Sequence, residues 1–155
     1  QVVRTAGCPV IVMHSPDPTG GPHGGEGYAD VVAEVFDWLE ARIDALEGAG
    51  IGRDRIIADP GIGFGKGLAD NLALLNNLTI LHGLGVPLML GASRKRMIGA
   101  LSNEAPAEQR LGGSIALALK GADSGMQLLR VHDVAETVQA LKVWRGLRDQ
   151  ALTAR

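Results

Sequence analysis

Four short, almost purely aliphatic runs constrain this chain more than anything else in it: residues 10–14 (Val-Ile-Val-Met-His), 56–59 (Ile-Ile-Ala-Asp), 87–92 (Pro-Leu-Met-Leu-Gly-Ala) and 127–132 (Gln-Leu-Leu-Arg-Val-His). A strand open to water on one side alternates apolar and polar residues, so continuous runs of this length predict parallel strands covered on both faces. Between them the apolar residues fall at helical spacing. Val32, Val35, Phe36, Leu39, Ile43 and Leu46 lead to Gly48 and Gly50, and a second pattern covers 71–84, punctuated by Gly83 and Gly85. A third helix is expected with Pro106 in its first turn, running through Ile115 to Leu119, and a fourth over 134–147 with Asp133 and Glu136 as its capping pair. Strand then helix, four times over, predicts an α/β architecture with right-handed crossovers.

Two architectures satisfy that order, and the strand ends separate them. Each run finishes in polar residues: His14, Asp59, Ser93 with Arg94 and Lys95, and Arg130 with His132. A parallel barrel lifts all such positions to one rim, whereas a doubly wound sheet concentrates its site at a single switch point. Residues 1–6 read as the tail of a helix stopped by Gly7, and no methionine opens the chain. The expected fold is therefore the C-terminal half of a (β/α)8 TIM barrel, with residues 1–155 forming one partial domain whose N-terminal half is missing.

Composition narrows the function classes. With 46% apolar residues among 155, the chain has material for a substantial core. A net charge of -2 lacks the basic excess of a nucleic-acid binder, and no apolar run is long enough to span a bilayer. The single cysteine, Cys8, allows no internal disulfide, fits a reducing cytoplasm, and is expected to be a packed small residue.

Residues 59–66 read Asp-Pro-Gly-Ile-Gly-Phe-Gly-Lys. A Walker loop needs a glycine where Pro60 stands and a hydroxyl where Gly67 stands, and the dinucleotide fingerprint fails because its third glycine would fall on Lys66 or Leu68. What remains is an acid at a strand end followed by a backbone-exposing turn. Pro60 biases Asp59 to an extended conformation, where its carboxylate could serve a ligand with two adjacent N–H donors, a metal, a general base, or only the turn. Arg130 and His132, two residues apart, share a strand side. They could hold a phosphate or diphosphate, or be a surface arginine and a backbone-satisfied histidine. The cations of Ser93-Arg94-Lys95-Arg96 are either a solvated face or a set with one inward lysine. The segment 15–27 is a glycine- and proline-rich loop in which His23 has no companion ligand, and His82 reads as structural.

Taken together, Asp59 through Lys66, then Gly91-Ala92-Ser93-Arg94-Lys95-Arg96-Met97-Ile98-Gly99, then Arg130-Val131-His132-Asp133 resemble the dihydropteroate synthase family in order and spacing. The similarity runs from Pro9 to the last helix. It implies a cytoplasmic barrel enzyme of folate synthesis and sulfonamide target that joins p-aminobenzoate to dihydropterin methyl diphosphate, releasing pyrophosphate. It implies further that Asp59 binds the pterin ring N–H and exocyclic amine, Lys95 the pterin carbonyl side, and Arg130 with His132 the diphosphate. Met13 would pack on the pterin, and Phe64 with Ser93 would border the aminobenzoate pocket. Arg96 stands where many members carry serine and would pair with the aminobenzoate carboxylate. The resemblance also implies Mg2+, with its protein ligand expected in the missing half, and a homodimer. The loop after His14 lacks the family's Met-x-Gly pattern. A half-rim predicts that this chain alone is inactive. Two other readings compete: a corrinoid-linked pterin-binding methyltransferase domain, against which the Ser-Arg-Lys and Arg-Val-His-Asp motifs speak, and a non-catalytic pterin-binding remnant.

Overall fold

The structure is a computed structural model and describes residues 2–15 and 27–149. The loop reading for 15–27, His23 included, falls outside the described residues except at its two ends. Helix α1 (Val2–Ala6) leads into β1 (Val10–Met13), followed by α2 (Val31–Gly48), β2 (Ile56–Asp59) and α3 (Leu68–Asn76). Then come β3 (Met89–Leu90), α4 (Arg96–Leu101), α5 (Leu111–Asp123), β4 (Leu128–Leu129) and α6 (Val134–Arg148).

The strands pair in chain order and in parallel. Val10 to Met13 lie opposite Ile56 to Asp59, Ala58 bridges Leu88, and Met89 and Leu90 lie opposite Leu128 and Leu129. A doubly wound sheet reverses its strand order at a switch point, and this one does not. Consecutive order with right-handed crossovers puts the helices on one face, leaving the other as the inside of a barrel wall. Burial agrees with that division. Ile56, Ala58, Leu88 and Leu90 are buried on the helix side, while Ile11 is 49% and Leu128 38% exposed on the other. The described strands form an open half-barrel, not a closed one.

Helix α2 starts where Asp30 accepts hydrogen bonds from the Val32 and Ala33 N–H groups, while Glu34 accepts from Ala29 and Asp30. These reciprocal bonds close the first turn. Its buried stripe of Val31, Val35, Leu39 and Ile43 packs in the core.

The structure departs from the sequence reading in several places. The pattern over 71–84 is two elements: α3 ends at Asn77, whose backbone N–H and side chain both bond back to Ala73 O, and a 3-10 segment (Leu78–Leu84) follows. Leu78, Leu81 and Leu84 are buried at intervals of three, which suits three residues per turn. Pro106 caps a 3-10 turn (Ala107–Gln109), and α5 begins only at Leu111. Asp133 occupies the cap position of α6, but its carboxylate makes no capping bond because it pairs with Arg94. Cys8 is exposed rather than packed, lying in the link between α1 and β1. His82 is structural, as expected, through a bond between its Nε2 and the Ser124 carbonyl at 2.9 Å. No helix among the described residues is long and apolar enough to cross a membrane.

Candidate functional site

The C-terminal ends of the four strands carry the site. Asp59 closes β2 and is 4% exposed, opposite Met13 in the register. Its Oδ1 accepts a hydrogen bond from the Gly61 N–H at 2.7 Å. Its Oδ2 faces the strand end at Gly91, where an added Cβ would lie 3.8 Å from that oxygen and 3.9 Å from the Arg130 Cβ. A glycine at 91 therefore keeps open the space between the carboxylate and Arg130.

The turn after Asp59 folds back tightly. Gly61 has φ +69, and a Cβ there would meet the His14 carbonyl oxygen at 1.8 Å, so only glycine fits. Asn71, buried on the first turns of α3, fixes the turn from outside: it accepts from the Gly63 N–H at 2.7 Å and donates to the Lys66 and Gly67 carbonyls. Phe64 is thereby presented to Lys95, whose Nζ lies 3.8 Å from the ring centroid. This is a cation–π contact.

Lys95 is partly buried at the cap of α4, with Arg94 before it in the left-handed region at φ +56. That strained residue is held on every side. Its N–H donates to Ser114 Oγ, its carbonyl accepts from Arg110, and its guanidinium is forked onto Asp133. Two of the cations thus face outward or sideways, Arg94 in its ion pair and Arg96 exposed on α4, while Lys95 turns in toward Asp59.

On β4's extension, Arg130 donates its backbone N–H to Leu90 O at 2.9 Å and its side chain is exposed. His132 is exposed and joined to Ser93: its backbone N–H donates to Ser93 Oγ at 3.2 Å, and Nδ1 lies 3.0 Å from the same oxygen. Ser93 Oγ thus joins both the backbone and the ring of His132, which fixes the ring at the strand end.

The charges act on one another. Burial raises the Asp59 pKa above the ordinary carboxylate value, opposed by the Gly61 N–H and by Lys95, Lys66 and Arg130. Burial lowers the Lys95 pKa, with Asp59 opposing and Arg130 adding to the fall. An arrangement of this kind offers a recessed carboxylate for paired N–H donors, a lysine beside it for an acceptor, and an arginine and histidine for an anion.

The pterin binding enzyme family model matches residues 1–132. The chain belongs to this family. The chain is 44% identical over 143 residues to the dihydropteroate synthase of Escherichia coli (strain K12), covering 92% of this chain and 50% of that protein. It superposes on Xanthomonas albilineans dihydropteroate synthase with 4-aminobenzoic acid with a TM-score of 0.87 and 49% identity, covering 94% of this chain and 51% of the other. The same enzyme in complex with 7,8-dihydropteroate gives 0.86 and 49%, with 94% and 53% covered. The chain spans about half the length of the relatives it matches.

Of the residues singled out from the sequence, Asp59, Lys95, Phe64 and Met13 gather at the end of β2, and Arg130, Ser93 and His132 gather beside them. Sequence reasoning left out Asn71 and gave Lys66 no role. Asn71 sits five residues beyond Lys66, a helical turn into α3, and that spacing was its one signal. Among the described residues no group of three His, Cys, Asp or Glu side chains is placed to hold a metal ion.

Proposed function

We propose that this chain forms the pterin- and diphosphate-binding part of a dihydropteroate synthase. The observation that carries the reading is the recessed Asp59 carboxylate facing Arg130 across the open position at Gly91, with Lys95 beside it. Asp59 accepts from the ring N–H and exocyclic amine of the dihydropterin, and Lys95 donates to its carbonyl. Arg130 and His132 hold the diphosphate. As the carbon–oxygen bond breaks, its electron pair passes to the leaving diphosphate, and donors already in place stabilise the growing charge. The pterin-stabilised cation left behind is captured by the amine of p-aminobenzoate, which then loses a proton. Phe64 and Ser93 border that second substrate, the exposed Arg96 pairs with its carboxylate, and Mg2+ accompanying the diphosphate takes its protein ligand from the other half of the barrel.

The same reading makes the complete protein a cytoplasmic homodimer paired through its later helices. Val134, Val138, Val143 and Leu147 support it, since they leave α6 with exposed apolar side chains, Leu147 at 74%. With one sheet face and two strand edges open, the 155-residue chain by itself is proposed to be inactive.

The test is an assay of the polypeptide as its gene encodes it, given dihydropterin methyl diphosphate and p-aminobenzoate. Pyrophosphate release that requires both substrates is the expected result. Methyl transfer to a corrinoid protein, or no turnover at all, would contradict it.

A further inference from the structure

Lys66 closes the glycine turn from within. Its ammonium lies 2.9 Å from His14 Nδ1, 2.9 Å from the Gly61 carbonyl and 3.0 Å from the Phe64 carbonyl. A lysine ammonium has three hydrogens and no lone pair, so these three close acceptors satisfy it, with the His14 carbonyl a longer contact at 3.4 Å. It also fixes the partner: His14 Nδ1 must accept, which places the proton of the neutral ring on Nε2. His14 is buried, with its ring 5.1 Å from Trp38 in an edge-on contact and 6.1 Å from Tyr28. One cation therefore ties the end of β1, the first residue of the turn and the residue that carries the aromatic ring.

We propose that Lys66 is a positioning residue, which acts through the turn to hold the Phe64 ring against Lys95 and so shapes the wall between the two substrate subsites. The two subsites rest on the reading given under Proposed function; the placement of Phe64 does not. A neutral amine has two hydrogens and a lone pair, so loss of the proton removes one donor and the positive charge that strengthens the remaining bonds. Burial lowers the Lys66 pKa to about 8, a cost opposed by Asp59 and Asp70 and increased by Lys95. The groups facing it are His14 at the end of β1, Tyr28 through its bond to the Gly65 carbonyl, Asp59 on β2, Asp70 on α3 and Lys95 at the cap of α4. Of these, Tyr28 is itself pushed up to about 12 by burial and stays neutral through the range in which Lys66 titrates.

The experiment reads the ring directly. In ligand-free protein, as its gene encodes it, the Lys95 Cε protons are shifted upfield by the Phe64 ring; subtracting the Phe64→Leu spectrum removes the contribution of Lys95's own titration. The upfield shift is expected at neutral pH, to shrink with a midpoint near 8 in the wild type, and to be lost at every pH in Lys66→Met. Lys142→Met, on exposed α6, is expected to leave it intact. If Lys66→Met does not fold, Lys66→Gln is read in its place. A ring shift that persists in a folded Lys66 variant overturns the proposal. Because no substrate is present, a failure here is separate from a failure to release pyrophosphate.

Discussion

Replacing Arg130 by alanine is expected to slow pyrophosphate release by about 100- to 1000-fold while leaving the fold intact, the range seen when one preorganised donor to a developing negative charge is removed. The side chain is exposed at the end of β4, and its backbone bond to Leu90 O does not depend on it, so little packing is lost. Its charge also lowers the pKa of Asp59 and of Lys95. Arg130→Ala should therefore raise both, making the Asp59 carboxylate easier to protonate at mildly acid pH. The rate loss should appear in kcat as well as kcat/KM, because charge accumulates on the diphosphate only as the bond breaks. A loss confined to KM would show that Arg130 merely tethers substrate.

Asp59→Asn is expected to weaken pterin binding and to strengthen the fold. The binding loss follows from exchanging a charged acceptor of two N–H groups for a neutral amide, costing about 1.5–3 kcal/mol, or roughly 10- to 150-fold in Kd. The gain in stability follows from burial. The folded carboxyl has a pKa above its ordinary value, so the folded state holds its proton up to a pH at which the unfolded chain has lost it. Stability consequently rises as pH falls through the folded pKa toward the ordinary one, and above the folded pKa the ionised group opposes folding. Asparagine removes that charge yet still offers an oxygen to the Gly61 N–H. Urea unfolding at neutral pH should show Asp59→Asn at least as stable as wild type, with its pH dependence on the acid side reduced. A destabilised variant would mean that Lys95, Lys66 and Arg130 outweigh the burial cost.

The rim was legible in the sequence because each aliphatic run ends in residues that a buried strand cannot carry further in. Asp59, Arg130 and His132 could be read that way, and so could the inward turn of one lysine among Arg94, Lys95 and Arg96. Strand lengths could not. The run at 87–92 pairs over only two residues partly because the Leu88 N–H goes to the Gln127 side chain, and the run at 127–132 stops when His132 gives its N–H to Ser93. Lys66 was left without a role, and the bond between Ser93 and His132 went unread, for a common reason. Their partners, His14 and His132, lie 52 and 39 residues away, and no local pattern reports a bond across such a gap. The split of 71–84 was written in the three-residue spacing of Leu78, Leu81 and Leu84, which a helical pattern with mixed spacings of three and four absorbs without trace.

The central claim is a division of labour: Asp59 reads the pterin ring, and Arg130 holds the diphosphate. Calorimetric titration of wild type, Asp59→Asn and Arg130→Ala with dihydropterin methyl diphosphate and with the same dihydropterin lacking the diphosphate tests it directly. Asp59→Asn is predicted to weaken both ligands by the same factor, and Arg130→Ala only the one that carries the diphosphate. Equal losses for both ligands with Arg130→Ala, or unchanged affinity for the bare pterin with Asp59→Asn, would contradict it.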